Sequence, residues 1–562
     1  MELRRTLLII GIAVVSYLLI LSWQRDYGQQ PASAATAAAD VATTPEVPAA
    51  PAAGGDVPDV PVAVSHAQPV ETPSATAAVS TSRVRVRTDV LDVQIDTRGG
   101  DLVHAALPAY TDSVDSSTPY VLLENSPART YVAQSGLIGP NGPDANSAGR
   151  PQYQATGTDF TLAEGNDTLD VVLTLPAENG VSVRKIYTFT RGSYLVATRH
   201  VIDNAGSAPW SGLLYAQLKR DSSKDPSAST QGFGMMTFLG GAWWTPEKPY
   251  NKAGFDDFAD KPLKQSVTGG WAAILQHYFV SAWVAEPGTG NVYSTRRSGN
   301  DNIIGYIGPL TTVAPGTQHT FNAQLYVGPK IQKDLEAISP GLELTVDYGW
   351  LWPVSQFLFW MLTMIHGWVG NWGWAIILLT VLVKAAFFQL SASSYKSMAK
   401  MRQVMPEMTR IKEQFGGDRA KMSQAMMDLY KKEKINPLGG CLPILVQMPV
   451  FIALYYCLME SVELRHAEWM FWINDLSAMD PYFVLPLIMG ATMFIQQHLN
   501  PAPPDPMQAR VMKVMPVVFT FMFLWFPSGL VLYWVVNNTL SIIQQWVITR
   551  QIENAAKTAK KA

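Results

Sequence analysis

Charge is scarce in this sequence. Only 15% of its 562 residues are Asp, Glu, Lys or Arg, against about 25% in an average soluble protein, while 48% are hydrophobic. That deficit points to extensive burial in lipid. Net charge is −3, which excludes the global basic field that draws nucleic acid. Cysteine is almost absent. Cys441 and Cys457 share one apolar run, about 24 Å apart along a helix, so they neither pair nor supply a disulfide framework or a metal cluster. The chain also lacks a Walker loop, HExxH, GxSxG and CxxC. Nothing marks a nucleotide, zinc-protease, serine-hydrolase or thiol-redox site, and no cofactor is expected.

What is present divides the chain by composition. Arg4 and Arg5 precede an apolar run, Leu7 to Trp23. A cleaved signal peptide is one reading, with Ala32-Ser33-Ala34 downstream. An uncleaved anchor (1–27) is the better one, because Trp23, Gln24, Arg25 and Asp26 follow the run at once. Residues 28–82 are rich in Ala, Pro, Thr and Val without helical period, which describes an extended linker. Residues 83–345 change character. RVRVRTDVLDVQIDT alternates polar and apolar positions as half-buried strands do, and VSVRKIYTFTRGSYLVATRHVI reads as two strands around Arg191-Gly192-Ser193. A large antiparallel β-sandwich follows, closed by a short helix within Ile331–Leu342. Trp243, Trp244 and Trp271 could stack on a sugar there, although core packing is the commoner fate of such rings.

From 346 onward apolar runs of about bilayer length dominate: 372–390, 441–462, 482–498, 511–526 and 528–548, six spans with the anchor. Charge decides the run 350–369. The segment 394–436 carries ten Lys/Arg against five acids, so it should be cytoplasmic like the N-terminus. An even number of spans must separate the two, which makes 350–369 an interfacial helix on the outer leaflet, with Trp350, Trp352, Trp360 and Trp368 at headgroup level. The β-domain then faces outward, and the basic C-terminal tail inward. Within 394–436, two amphipathic stretches flank Gly416-Gly417-Asp418 and predict a helical hairpin. Its methionines (398, 401, 405, 408, 422, 426, 427) suit either a packed seam or an adaptable surface for varied apolar segments.

Polar residues inside the spans are the candidate site. Tyr533, Asn537, Ser541 and Gln544 lie on one helical face, flanked by Trp534, Asn538 and Gln545. Gln447 stands among apolar neighbours, and Thr380 shares a face with Lys384. An ammonium near the centre of a span costs about 2.5–3.5 kcal/mol, although Lys384 could snorkel to the cytoplasmic interface. Interhelical hydrogen bonding explains any one of these residues; the set suggests a shared hydrophilic cavity. No Asp or Glu stands near the centre of a span, which disfavours a proton or cation pathway, and no inverted repeat supports a solute transporter. Ser391 and Ser541 show no partner base in the sequence, which disfavours an intramembrane protease.

NPLGGCLPILVQMPVFIALYY (Asn436–Tyr456), VGNWGWAIILLT (Val369–Thr380), SMAKMRQVMPEM (Ser397–Met408), WINDLSAMDPYFVLPLIMG (Trp472–Gly490), DPMQARVMKVMP (Asp505–Pro516) and FLWFPSGLVLYWVVNN (Phe523–Asn538) resemble the YidC/Oxa/Alb family of membrane protein insertases. The β-domain behind an N-terminal anchor resembles the gram-negative form. The resemblance implies a polytopic α-helical membrane protein with six transmembrane helices and a five-helix insertase core, plus a soluble all-β supersandwich domain in the periplasm. It implies insertion and folding of inner-membrane proteins, alone or with the Sec translocon, through a positively charged groove open to cytoplasm and lipid. Implied partners are nascent inner-membrane proteins, the Sec translocon and membrane lipids, with the ribosome and the signal recognition particle receptor as further ones; no nucleic acid is read directly. The family's groove arginine falls at Lys384, so charge is kept and the bidentate fork is lost. By the same comparison Gln447 matches the groove glutamine and Trp534 an aromatic position, while Thr380 and Tyr533 become substrate contacts.

Overall fold

The computed structural model describes residues 57–58, 83–145, 149–227, 237–433, 442–500 and 506–561. The anchor Leu7–Trp23, Cys441, the hairpin's end at 434–436 and all of the linker except Val57 and Pro58 lie outside them. In Arg83–Arg87 the valines are buried and the arginines face outward, as period-two alternation dictates. Val181–Thr190 and Leu195–Asn204 are the two strands expected around Arg191-Gly192-Ser193, and Leu195–Asn204 also pairs along its whole length with Thr317–Pro329. Among the described residues the strands form one eleven-stranded and one nine-stranded sheet whose inner faces share a core. The sandwich is not wholly antiparallel: Arg85–Arg87 pairs in parallel with Asp159–Thr161. Trp271 is fully buried and donates to the Pro340 carbonyl at 3.2 Å, while Trp243 and Trp244 pack against the same core. The closing helix is Gln332–Ile338.

Alternation also drives charge inward. Val183, Lys185, Tyr187 and Phe189 share the core face. Lys185 Nζ donates to the carbonyls of Gly99 (3.1 Å) and Ser135 (2.9 Å). Nearby, Arg150 bridges Asp101 and Asp144 at 2.7 Å each. Two cations and two carboxylates thus balance inside the sandwich, as buried charges must.

The helical region holds α1 (Trp352–Val369), α2 (Trp372–Ala386), α3 (Phe388–Gln403), α4 (Met405–Phe415), α5 (Arg419–Lys432), α6 (Leu442–Glu460), α7 (Val484–Leu499), α8 (Pro506–Phe523) and α9 (Ser528–Lys561). Three sequence expectations change. The run 372–390 is not one straight helix: it breaks at Phe387, and α2 and α3 meet at 66°. The hairpin arm from 394 is interrupted at Val404, because Pro406 supplies no N–H and restricts the residue before it. The last helix does not stop near 548 but continues to Lys561. Among the described residues no single helix is both long and apolar enough to cross a membrane; the bent pair α2–α3 meets that criterion by length and composition only. Trp350, Trp352, Trp360 and Trp368 are all more than half exposed beside α1 or along it.

Two buried histidines set an acid limit on the β-domain. Burial lowers the pKa of His200, whose ring nitrogens find no partner among the described residues, and that of His277 to about 4. Below about pH 6.5 the unfolded chain takes up protons that these folded sites refuse, so stability falls with pH. Between pH 6.5 and 5 the neutral His277 should remove about 1.6 kcal/mol, and His200 acts in the same direction. We expect the β-sheet circular-dichroism melting temperature to fall over this range, and His200→Phe to flatten the fall. An unchanged pH slope in the variant would contradict this.

Candidate functional site

Helix α9 supplies most of the site because it packs against α2, α3, α6 and α7 at once. Pro527 and Ser528 start it, and the Ser528 N–H and hydroxyl both donate to the Ala478 carbonyl, at 2.7 and 2.8 Å. From that fixed origin Tyr533, Asn537 and Ser541 rise on one face, four residues apart. Asn371 caps α2, accepting from the Trp374 N–H at 3.2 Å. The same helix ends at Ala386, so Lys384 occupies its last turn rather than the middle of a straight span.

That placement lowers the cost of the charge. The C-terminal turn of a helix carries partial negative charge, which favours a cation. Lys384 is 9% exposed, and its Nζ donates to Ser541 Oγ at 2.7 Å. No carboxylate lies within ion-pair distance of it among the described residues. Ser541, given no partner by the sequence reading, therefore has one. Its hydroxyl donates to the Asn537 carbonyl at 2.7 Å and accepts from the Lys384 ammonium, so it is held on both sides.

Gln447 joins from α6. Its Nε2 donates to Asn537 Oδ1 at 2.5 Å. Tyr533 is buried beside Gln447 without a well-formed hydrogen bond for its hydroxyl, and its ring stacks on Phe451 at 6.3 Å. Trp534 meets Phe451 edge-on at 4.5 Å and Phe523 at 5.4 Å. Lys384, Ser541, Asn537, Gln447 and Tyr533 are thus a continuous polar strip across α2, α9 and α6.

Other expected members stand apart. The Thr380 hydroxyl is buried and donates to its own helix, to Ile376 O at 2.6 Å. Asn538 faces α7 and donates to Thr492 Oγ1 at 3.3 Å, and Gln545 holds Leu499 O and Asn500 Oδ1 on the same side. Both belong to the α7–α9 seam instead of the strip, because a step of one residue turns a side chain about 100° around the helix. Gln544 donates to Phe388 O at 3.1 Å, just past the α2–α3 break.

Sequence reading missed Tyr395 and weighed Ser391 only as a nucleophile. Ser391, Ser394 and Tyr395 on α3 are buried, with Tyr395 beside Ser541. Their spacing of three and four residues places them on one helical face. The described residues contain no cluster of His, Cys, Asp or Glu able to hold a metal ion. The strip offers an ammonium, amides and hydroxyls, which suits recognition of polar or anionic peptide groups.

Residues 83–361 match the family described as YidC periplasmic domain, and residues 364–556 the family described as 60Kd inner membrane protein. A protein of Stutzerimonas stutzeri named membrane protein insertase YidC is 56% identical over 562 residues, covering 100% of both chains. Proteins of the same name from Pseudomonas fluorescens and Pseudomonas aeruginosa are 56% and 54% identical, each again over 100% of both chains. A crystal structure described as an active YidC insertase with its first transmembrane domain resolved aligns at TM-score 0.37 and 18% identity, over 83% of this chain and 92% of that one. The chain belongs to the 60Kd inner membrane protein family of insertases, in the form that carries a YidC periplasmic domain.

Proposed function

We propose that this chain inserts proteins into the inner membrane and that the strip from Lys384 to Gln447 is the surface its substrates meet. The observation that carries the reading is Lys384: nearly buried in an apolar helix, bonded to a hydroxyl and, among the described residues, faced by no carboxylate within ion-pair distance. A lone buried cation keeps water and positive potential within the helical bundle. A substrate's polar tail is stabilised there while its apolar segment moves along α2 and α9 into lipid. Burial of the substrate's own apolar surface, about 25 cal/mol per Å², drives the transfer. No bond is made or broken.

The topology belongs to the same proposal. Leu7–Trp23 and the runs 372–390, 441–462, 482–498, 511–526 and 528–548 are the six spans, and α1 lies at the outer interface with its exposed tryptophans at headgroup level. Both termini and the segment 394–436 are cytoplasmic. In that segment Met408 is buried, whereas Met427 is half exposed, so the methionines serve both as seam and as adaptable surface. Nascent chains and the Sec translocon are the partners this arrangement fits, with the ribosome and the signal recognition particle receptor on the cytoplasmic side.

Proteoliposomes containing only this chain should protect a short single-spanning substrate. Lys384→Leu should reduce the protected fraction about tenfold, equivalent to about 1.4 kcal/mol, and Lys384→Arg should preserve it. Equal insertion by the leucine variant would remove Lys384 from the mechanism, and no insertion by wild type would sink the insertase reading. The strip itself can be tested by helix-association stability in a detergent titration. Gln447→Leu and Asn537→Leu should each cost about 0.6–2 kcal/mol, and together less than the sum of the two, since they remove one shared bond. Full additivity would contradict the pairing.

A further inference from the structure

The outer end of α6 is an electrostatic problem. The last four carbonyls of a helix lack intrahelical partners, and Glu460, its final residue, adds a carboxylate to the negative end of the helix dipole. One answer is local: Ser461 Oγ donates to the Cys457 carbonyl at 2.5 Å. The others come from the β-domain. His277 Nε2 lies 2.9 Å from the Met459 carbonyl, and Lys330 Nζ lies 3.8 Å from Glu460 Oε2.

Both β-domain groups are pre-positioned. The His277 backbone N–H donates to Asp225 Oδ2 at 2.6 Å, and its ring stacks on Tyr278 at 3.7 Å. Burial keeps that ring neutral at pH 7, and its carbonyl neighbour requires the tautomer with hydrogen on Nε2. The Lys330 backbone N–H donates to the Tyr278 carbonyl at 2.9 Å, and its side chain is 3% exposed. Asp347, Asp225 and Lys252 are the other charged groups facing Lys330. Just beyond the helix, Arg465 donates to the carbonyls of Thr111 (2.6 Å) and Asp112 (3.1 Å). Its guanidinium lies 5.6 Å from the ring centres of Tyr120 and Phe279. His466 Nδ1 meets Thr111 Oγ1 at 3.1 Å.

We propose that the β-domain is the C-terminal cap of α6, and that through His277 and Lys330 it holds the outer end of the helix whose inner half carries Gln447. Gln447 and Glu460 are about 20 Å apart along that helix, so a fixed outer end fixes the height and rotation of the glutamine in the strip. The functional half of this proposal rests on the insertase reading; the capping half does not.

Hydrogen–deuterium exchange of the full chain in lipid nanodiscs separates the two. Lys330→Met leaves Glu460 buried without its cation and should speed exchange of amides in 461–480 at least about tenfold, with the strand Leu195–Asn204 unchanged. Glu460→Gln, which leaves every β-domain residue intact, should speed the same amides. The double variant Lys330→Met/Glu460→Gln should return within about threefold of wild type, because no charge then lacks a partner. His277→Phe, which keeps the stack on Tyr278, should speed exchange nearest α6. Wild-type exchange in either single charge variant, or a double variant no slower than the singles, would overturn the cap. Insertion measured on the same preparations should fall in the singles and recover in the double. Cap behaviour as expected, with no insertion by wild type, would leave the cap standing and remove the insertase reading beneath its functional half.

Discussion

The bond from Lys384 to Ser541 is the constraint around which the helical region is arranged. An ammonium among apolar helices needs a partner and a favourable field, and the described residues supply both without a carboxylate. The helix ends two residues after the lysine, so the field of its last turn helps hold the charge. The chain then bends by 66°, and Tyr395 beyond the bend lies beside Ser541. A carboxylate there would neutralise the site and leave it nothing to offer a polar peptide. A serine satisfies one of the ammonium's three donors and leaves the charge unpaired.

The polar strip extends that logic. Asn537 is its hinge residue, taking Gln447 on its side chain and Ser541 on its carbonyl. Helix α9 can serve two faces because Asn538 and Gln545 are used on the α7 side. Those two residues stabilise the bundle and leave Asn537 and Ser541 to the strip. At the far end of α6 the β-domain meets the same helix through a histidine and a lysine, which gives a large extracytoplasmic domain a mechanical connection to the strip.

Much of this was legible in residues alone. The strand pair around Arg191-Gly192-Ser193 followed from alternation and a turn. The four-residue spacing of Tyr533, Asn537 and Ser541 announced one face of a helix. The α2–α3 break was not legible, because Phe387-Phe388 continues an apolar run and hydropathy is blind to a bend. Reading through it set Lys384 more than a turn from the helix end instead of in the last turn. Asn538 was assigned to the groove because adjacent residues look equivalent in a sequence, whereas about 100° of rotation separates them. The contacts of His277 and Lys330 with α6 are long-range, joining residues more than a hundred positions apart, and no local pattern predicts them.

The most direct test of the central claim is site-specific photo-crosslinking to a stalled single-spanning nascent chain. A photoreactive side chain at Asn537, in the strip, is compared with one at Leu487, which is 61% exposed on α7 and outside the strip. The account predicts substrate crosslinks from position 537 and few or none from 487. Crosslinks from 487 with none from 537 would contradict it and place the substrate path on the other side of the bundle.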